Sequence, residues 1–243
     1  MQASIPSMLL STRAAAAIYF AIIGLGLFGE LFVRGSLVVG GDVAATASNI
    51  LGSQLLWRTG IATDLVMHLL DVPLIVFFYL LLKPVSHPLA LLATAFNIIQ
   101  TCVLAGNKVS LVAALSLLNS PASAIGQIDS HALASLAVGL HGYGFGVGLT
   151  FFGMACLVRG YLIFKSGYVP RVLGVLLCFA GISYLVNSFA LLLSPPLASL
   201  LFPAVLLPAF VAELALSLWL LCANENVLKR RLIKPDTLRA PAR

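Results

Sequence analysis

The segment TDLVMHLLDV, residues 63–72, places two carboxylates and an imidazole on a short stretch of a strongly apolar chain. At about 100° per helical residue, Asp64, His68 and Asp71 point within roughly 60° of one another, so they form one polar face of a helix. Two acids on one face repel each other at low dielectric unless a proton, a cation or a neighbouring base relieves them. The pattern indicates acid/base chemistry or a cation site, with hydrogen bonding between helices as the structural alternative.

A metal site on this face is one of the open interpretations. Asp64 and His68 are spaced i, i+4 and can share a divalent ion, with Asp71 as a third ligand. No HxxxH or HExxH pattern supplies the remaining ligands. The sequence therefore identifies no cofactor, and a metal at these three residues stays an alternative to proton transfer.

Other ionisable residues also lie in apolar segments, where they usually pair, lose their charge or line a wet cavity. Glu30 and Arg34 are spaced i, i+4 and can form an ion pair within one helix. His141 is surrounded by glycines at 142, 144, 146 and 148, which leave room for a close helix or a ligand. We expect catalytic roles for Asp64, Asp71, His141 and Glu30, and substrate binding by His68, Lys108, Tyr143, Asn187, Glu213 and Arg34.

Glu213 follows two prolines in the segment FPAVLLPAFVAE. Pro203 and Pro208 interrupt the helical hydrogen bonds and free backbone carbonyls, which together with an acid can form a cation or proton site. The structural alternative is a protonated glutamic acid that hydrogen-bonds within the bundle. Both interpretations place Glu213 inside a membrane span.

The composition identifies the kind of protein that must position these residues. The chain of 243 residues is 60% hydrophobic and 9% charged, with a mean hydropathy of +1.06, which excludes an ordinary water-soluble domain. A bilayer offers the backbone no hydrogen-bond partners, and the long apolar runs do not alternate, so the spanning segments are helices. We expect an all-α, polytopic helical membrane protein whose partners are membrane lipids.

Six segments are long enough to span a hydrocarbon core, which needs roughly 20 apolar residues. The third either continues to residue 118 as one tilted helix or breaks near Gly106 and Asn107. The six predicted spans are residues 14–32, 61–82, 88–110, 131–157, 172–193 and 197–222.

The distribution of basic residues predicts the orientation of the bundle. The net charge of +6 does not indicate a nucleic-acid partner, because six of the fourteen Lys and Arg residues lie in the last fifteen positions. Both termini are therefore predicted to be cytoplasmic. On that side we count Arg13, Lys83, Arg159, Lys165, Arg171 and the tail, against Arg34 and Arg58 on the other side.

The predicted organisation has three parts. Residues 1–13 form a cytoplasmic N-terminus, residues 14–222 form the transmembrane bundle, and residues 223–243 form a basic cytoplasmic tail. The external loop contains an amphipathic segment, 42–58, which begins at a capping Asp42 and lies along the outer interface.

Several blocks of the sequence occur in an order that resembles the bacterial family with domain of unknown function 4386. They read TRAAAAIY, GELFVRGSLVV, ATDLVMHLLDV, LHGYGFGVGLTFFG and LFPAVLLPAFVAELALSLWLL. The resemblance covers about residues 12–222. It implies a small multi-span protein of the bacterial inner membrane, and it assigns no activity and no residue role.

Three functions are consistent with these residues. The first is a membrane-embedded enzyme for a lipid-soluble substrate, such as an isoprenoid or acyl lipid, with Asp64, Asp71 and His141 as acid, base or ligands. The second is a small proton- or cation-coupled transporter, which requires a path to both faces of the membrane. The third is a non-catalytic accessory or sensor protein whose polar residues stabilise the bundle.

Overall fold

Every regular element in the described residues, 11–120 and 129–224 of this computed structural model, is a helix. Residues 1–10, residues 121–128 and the basic tail from residue 225 onward lie outside the described residues. The helices are α1 (Thr12–Leu37), α2 (Val43–Gly52), α3 (Gln54–Leu82), α4 (His87–Leu118), α5 (Ser130–Ser166), α6 (Arg171–Leu193), α7 (Pro195–Leu201) and α8 (Leu207–Cys222).

Six helices in this part of the chain are long and apolar enough to cross a bilayer. They are α1, α3, α4, α5, α6, and α8 with the turn that precedes it, Ala204–Leu206. The predicted all-α bundle with six membrane spans is therefore confirmed. Which end of the bundle faces the cytoplasm stays a prediction.

The third span follows the first of its two predicted alternatives, and the fourth span is longer than predicted. α4 continues without a break through Gly106 and Asn107 to Leu118. The Asn107 side chain donates to the His141 carbonyl at 2.8 Å, so an amide that suggested a break instead joins two helices. α5 extends past residue 157 to Ser166, because the charge of Arg159 is held inside the bundle.

The last span was also predicted to begin too early. The stretch from residue 195 forms a separate short helix, α7, which ends at Leu201, and the membrane span starts at Ala204. Pro203 explains the boundary, because proline has no N–H to continue the helical hydrogen bonds. Pro208 lies in the first turn of α8, where that missing donor is tolerated.

The segment predicted as external and amphipathic, 42–58, is divided between two helices. α2 ends at Gly52, and residues from Gln54 onward already belong to α3. Asp42 caps α2 as expected, accepting from the Ala45 N–H at 2.8 Å. Trp57 is 1% exposed and donates its indole N–H to the Leu111 carbonyl at 3.0 Å, so it packs inside the bundle and not along an interface.

The six spans form a closed ring in which α1 packs on α3, and then α4, α5, α6 and α8 follow in order, with α8 returning to α1. We call the end of the ring that carries α2 the α2 end, and the end where α1 begins and α8 stops the termini end. Two separate apolar cores fill these ends. The core at the termini end includes Tyr19, Phe77, Phe78, Leu81, Leu162, Leu177, Leu216 and Leu220, and the core at the α2 end includes Val33, Ile50, Trp57, Leu111 and Leu115.

Glycines allow α5 to approach both of its neighbours in the ring. A Cβ on Gly148 would lie 2.4 Å from Leu104 of α4, and one on Gly144 would lie 2.2 Å from Asn107. On the other side, a Cβ on Gly174 of α6 would lie 2.6 Å from the carbonyl of Gly160. Three of the four glycines that follow His141, at 144, 146 and 148, therefore serve helix packing, whereas a Cβ on Gly142 would meet nothing within 4 Å.

Gly174→Ala is expected to destabilise the bundle by about 1–3 kcal/mol, because the added methyl meets backbone that cannot move aside. Gly106→Ala is the matched control, since nothing lies within 4 Å of its Cβ position. The control should be neutral or stabilising by up to about 1 kcal/mol through helix propensity. Thermal unfolding of both variants in detergent measures the difference, and equal unfolding temperatures would contradict the tight crossing.

Candidate functional site

A cavity of about 250 Å³ lies inside the ring between the two apolar cores, and all six spans contribute to its wall. Charged and polar groups line parts of it, and apolar side chains line the rest. The apolar wall includes Ile22, Ile23, Met67, Leu104, Phe145, Leu149, Phe152 and Phe210, and the polar wall consists of Glu30, Arg34, Asp64, Asp71, Gln100, Lys108, Tyr184 and Glu213. The cavity is thus amphipathic.

Four charged residues meet at the part of the cavity nearer the α2 end, and we call them the outer charge cluster: Glu30, Arg34, Asp64 and Lys108. Asp64 is fully buried, and its Oδ2 lies 2.7 Å from Arg34 Nη1 and 2.9 Å from Lys108 Nζ. Arg34 Nε also donates to Glu30 Oε2 at 2.8 Å. The cluster contains two acids and two bases, so it has no net formal charge when all four are ionised.

The local form of α1 brings Arg34 and Glu30 to this position. Residues Phe28–Arg34 form a π-helical segment, a rare form that occurs often at functional sites. Gly29 lies in that segment against Asp64, and a Cβ there would be 2.3 Å from Asp64 Oδ1. Only glycine therefore lets α1 approach Asp64 this closely.

His141 extends the outer charge cluster away from the cavity. Its Nε2 lies 3.2 Å from Lys108 Nζ. An ammonium group has donors and no acceptor, so His141 Nε2 is the acceptor and the imidazole is neutral in this arrangement. His141 is 5% exposed and does not belong to the cavity wall, so it supports Lys108 from behind.

A second polar network runs from the cavity toward the termini end. Asp71 Oδ2 lies 3.3 Å from His68 Nδ1 and accepts from the Thr101 hydroxyl at 3.4 Å. The single Thr101 hydroxyl hydrogen is shared between Asp71 and Gln100 Oε1, which lies 3.3 Å from Thr101 Oγ1 and also accepts from Asn97 Nδ2 at 2.7 Å. Asn97 Oδ1 in turn accepts from Arg159, which is 4% exposed and stacks over the Phe78 ring with 4.5 Å between Cζ and the ring centre.

Glu213 and Tyr184 form a third polar group on the cavity wall. The Tyr184 hydroxyl donates to Glu213 Oε1. Glu213 has no ion-pair partner in the described part of the chain, unlike Glu30 and Asp64. Of the four cavity carboxyl groups, Glu213 is therefore the one with no Arg, Lys or His side chain of the described residues at ion-pair distance.

The structure separates the predicted candidates into three sets. Glu30, Arg34, Asp64, Lys108, Asp71 and Glu213 line the cavity, while His68 and His141 lie directly behind Asp71 and Lys108. Tyr143 is 45% exposed on the outside of the bundle, and neither it nor Asn187 belongs to the cavity wall. Sequence reasoning did not predict a role for Arg159 or Thr101.

The three residues considered as alternative metal ligands do not converge. Asp64 is held by two cations, and His68 instead pairs with Asp71. Among residues 11–120 and 129–224, no three His, Cys, Asp or Glu side chains form a group that could hold an ion. His68 Nε2 is buried and has no hydrogen-bond partner in these residues. No third His, Cys, Asp or Glu joins His68 and Asp71 to complete a metal site.

The cavity wall is partly exposed where α1 and α8 approach the α2 end. Up to Leu27, α1 packs along α8, whereas its Phe28–Arg34 segment packs on α3. Leu27, Glu30 and Phe210 all line the cavity, and all three are partly exposed: Leu27 and Phe210 are 40% exposed, and the Glu30 side chain is 48% exposed. The mouth of the cavity therefore lies between α1 and α8.

Comparison with known proteins places the chain in a family. A protein of Archaeoglobus fulgidus described as uncharacterized is 27% identical over 119 residues, which are 49% of this chain and 59% of that protein. The match thus spans less than two thirds of that relative's length. No solved structure matches the chain. The model of the domain of unknown function DUF4386 matches residues 14–223, so this six-span membrane chain belongs to the DUF4386 family, as its sequence blocks predict.

Proposed function

We propose that this protein is a membrane-embedded enzyme whose substrate is a lipid-soluble molecule that enters the cavity sideways from the bilayer. The observation that carries the proposal is the amphipathic cavity with its mouth between α1 and α8. Binding sites for small molecules combine apolar walls with a few convergent polar groups, which this cavity provides. A lipid-soluble molecule can reach such a mouth without leaving the membrane.

The polar groups of the wall support a division of roles. Arg34 and Lys108 are cations at the cavity wall and suit the polar end of a substrate. Asp64 holds these two cations in place and is a positioning residue. Glu213 is the acid/base group, because its carboxyl faces the cavity with only the Tyr184 hydroxyl as partner.

The packing of the termini end favours an enzyme over a carrier. A carrier needs a path from the cavity to both faces of the membrane. Between the cavity and the termini end, the ring is filled by a tightly packed core that includes Tyr19, Phe77 and Leu216. A substrate that enters and leaves through the lateral mouth does not need to cross this core.

The basic residues support a location in the bacterial inner membrane with both termini in the cytoplasm. Lys83, Lys165 and Arg171 lie in or beside the connections at the termini end. Cytoplasmic ends of spans carry an excess of Lys and Arg, so the termini end is the cytoplasmic one in this proposal. The mouth then faces the outer leaflet.

The test is to identify lipids that co-purify with equal folded amounts of the wild-type protein and three variants. Glu213→Gln keeps the shape of the cavity and removes the acid/base group, so it should carry more bound substrate than the wild type. Met67→Trp fills the cavity and should lose most of that lipid. Val66→Trp is the matched control, because Val66 is 46% exposed on the lipid-facing side of the same helix.

Mass spectrometry of the extracted lipids decides between the outcomes. A species enriched on Glu213→Gln, absent from Met67→Trp and kept by Val66→Trp supports the proposal. No lipid that depends on Met67 would show that the cavity is not a binding site. Equal amounts of the same species on the wild type and Glu213→Gln would show that the protein binds the lipid without converting it.

A further inference from the structure

We propose that the substrate head group is an anion, a carboxylate or a phosphate, which replaces Glu30 on Arg34 at the mouth of the cavity. The inference rests on the proposed function, since it takes the cavity as the substrate site, and it adds the chemical class of the substrate. The affinity for an anion would come from the unequal burial of the four charged residues in the outer charge cluster.

The buried part of the cluster carries an excess positive charge. Arg34, Asp64 and Lys108 have side chains that are 12%, 0% and 4% exposed, and together they carry two positive charges and one negative charge. Glu30 supplies the second negative charge, but its side chain is 48% exposed. The buried trio therefore presents one net positive charge to the cavity, and a half-exposed carboxylate covers it.

Glu30 can leave this position at little cost. A partly exposed ion pair within one helix contributes at most about 1 kcal/mol, because water screens it. Asp64, in contrast, lies between two buried cations and cannot leave without stranding both of them. Of the two acids in the cluster, only Glu30 is therefore exchangeable.

An incoming anion would take the place of the Glu30 carboxylate on Arg34 Nε, which now donates to Glu30 Oε2 at 2.8 Å. Charge-assisted hydrogen bonds from a guanidinium are stronger than bonds between neutral groups, and a carboxylate or phosphate fits the guanidinium geometry. A neutral head group would leave the excess charge of the trio uncompensated. A cationic head group would be repelled by Arg34 and Lys108.

The experiment measures binding of dodecanoate, 1-dodecanol and dodecylammonium to the full chain in nanodiscs of uncharged lipid, with empty nanodiscs subtracted. Dodecanoate should bind most tightly to the wild type, and filling the cavity by Met67→Trp should abolish its binding. Glu30→Gln removes the competing carboxylate and should tighten dodecanoate about two- to fivefold while leaving 1-dodecanol unchanged. Arg34→Gln should weaken dodecanoate about tenfold or more.

Asp42→Asn is the matched control for Glu30→Gln. It removes one negative charge at the same end of the bundle, and Asn is as good a helix cap as Asp. Asp42 contacts the Ala45 N–H and no member of the outer charge cluster, so this change should leave all three affinities unaltered. Any effect of Glu30→Gln beyond that of Asp42→Asn then reports on the contact with Arg34.

The possible failures of the two proposals are distinguishable. Equal binding of dodecanoate and 1-dodecanol, both blocked by Met67→Trp, would overturn the anionic head group and leave the cavity as a lipid site. Unchanged or weaker dodecanoate binding to Glu30→Gln would likewise overturn it. Absence of any binding that depends on Met67 would overturn the proposed function as well.

Discussion

Asp64→Asn is expected to destabilise the folded protein by about 3–5 kcal/mol, the usual effect of breaking a buried ion pair from one side. The neutral amide would leave Arg34 and Lys108 buried beside each other without the carboxylate that both now contact. Glu30 cannot replace it, because its side chain is half exposed and already holds Arg34 Nε. Thermal unfolding in detergent, followed by size-exclusion chromatography, measures the loss.

A second substitution tests whether stranded charge causes this loss. Lys108→Met in the Asp64→Asn background removes the cation that has lost its carboxylate partner, so the double variant should be more stable than Asp64→Asn alone. Glu30→Gln is the control within the same cluster and should change stability by less than about 1 kcal/mol. Additive losses in the double variant would show that Asp64 stabilises the bundle through packing and not through charge.

Hydropathy was sufficient to predict the six spans, because a bilayer accepts only long apolar helices. One error is the end of the fourth span, where the sequence has the charged residue Arg159, and another is the start of the last span, which follows Pro203. The sequence predicts Arg159 in a loop, yet its guanidinium donates a hydrogen bond to Asn97 and stacks on Phe78 inside the bundle. Its neighbours in sequence are apolar on both sides, which is the signal that could have identified it as buried.

The helical period predicts one polar face of α3 that points into the bundle. It does not predict that the residues of this face belong to two separate networks. Asp64, His68 and Asp71 lie along one helix face, and their partners come from other helices. Lys108 and Arg34 bind Asp64, whereas Thr101 joins Asp71 and His68. The spacing of residues within α3 does not predict these partners, because the partners depend on which residues of α1 and α4 lie at the same depth in the bundle.

Gly29→Ala is expected to destabilise the bundle by about 2–4 kcal/mol, because the added methyl overlaps a carboxylate that cannot turn away. Its Cβ would lie 2.3 Å from Asp64 Oδ1 and 3.0 Å from Arg34 Nη2. To remove this overlap, α1 would have to move away from α3, or Asp64 would have to lose its contact with one of its two cations. Gly24→Ala on the same helix meets nothing within 4 Å and should be neutral or stabilising by up to about 1 kcal/mol.

The π-helical segment could require glycine at position 29 for its backbone alone, whatever lies opposite. Repeating Gly29→Ala in an Asp64→Ala background separates that requirement from the contact with Asp64. Without the carboxylate, the new methyl group has no oxygen to displace, so the second substitution should add much less than it does in the wild type. The coupling between the two positions then measures the contact itself. A full, undiminished loss would mean that Gly29 is required by the backbone of Phe28–Arg34, and that the close approach to Asp64 is incidental.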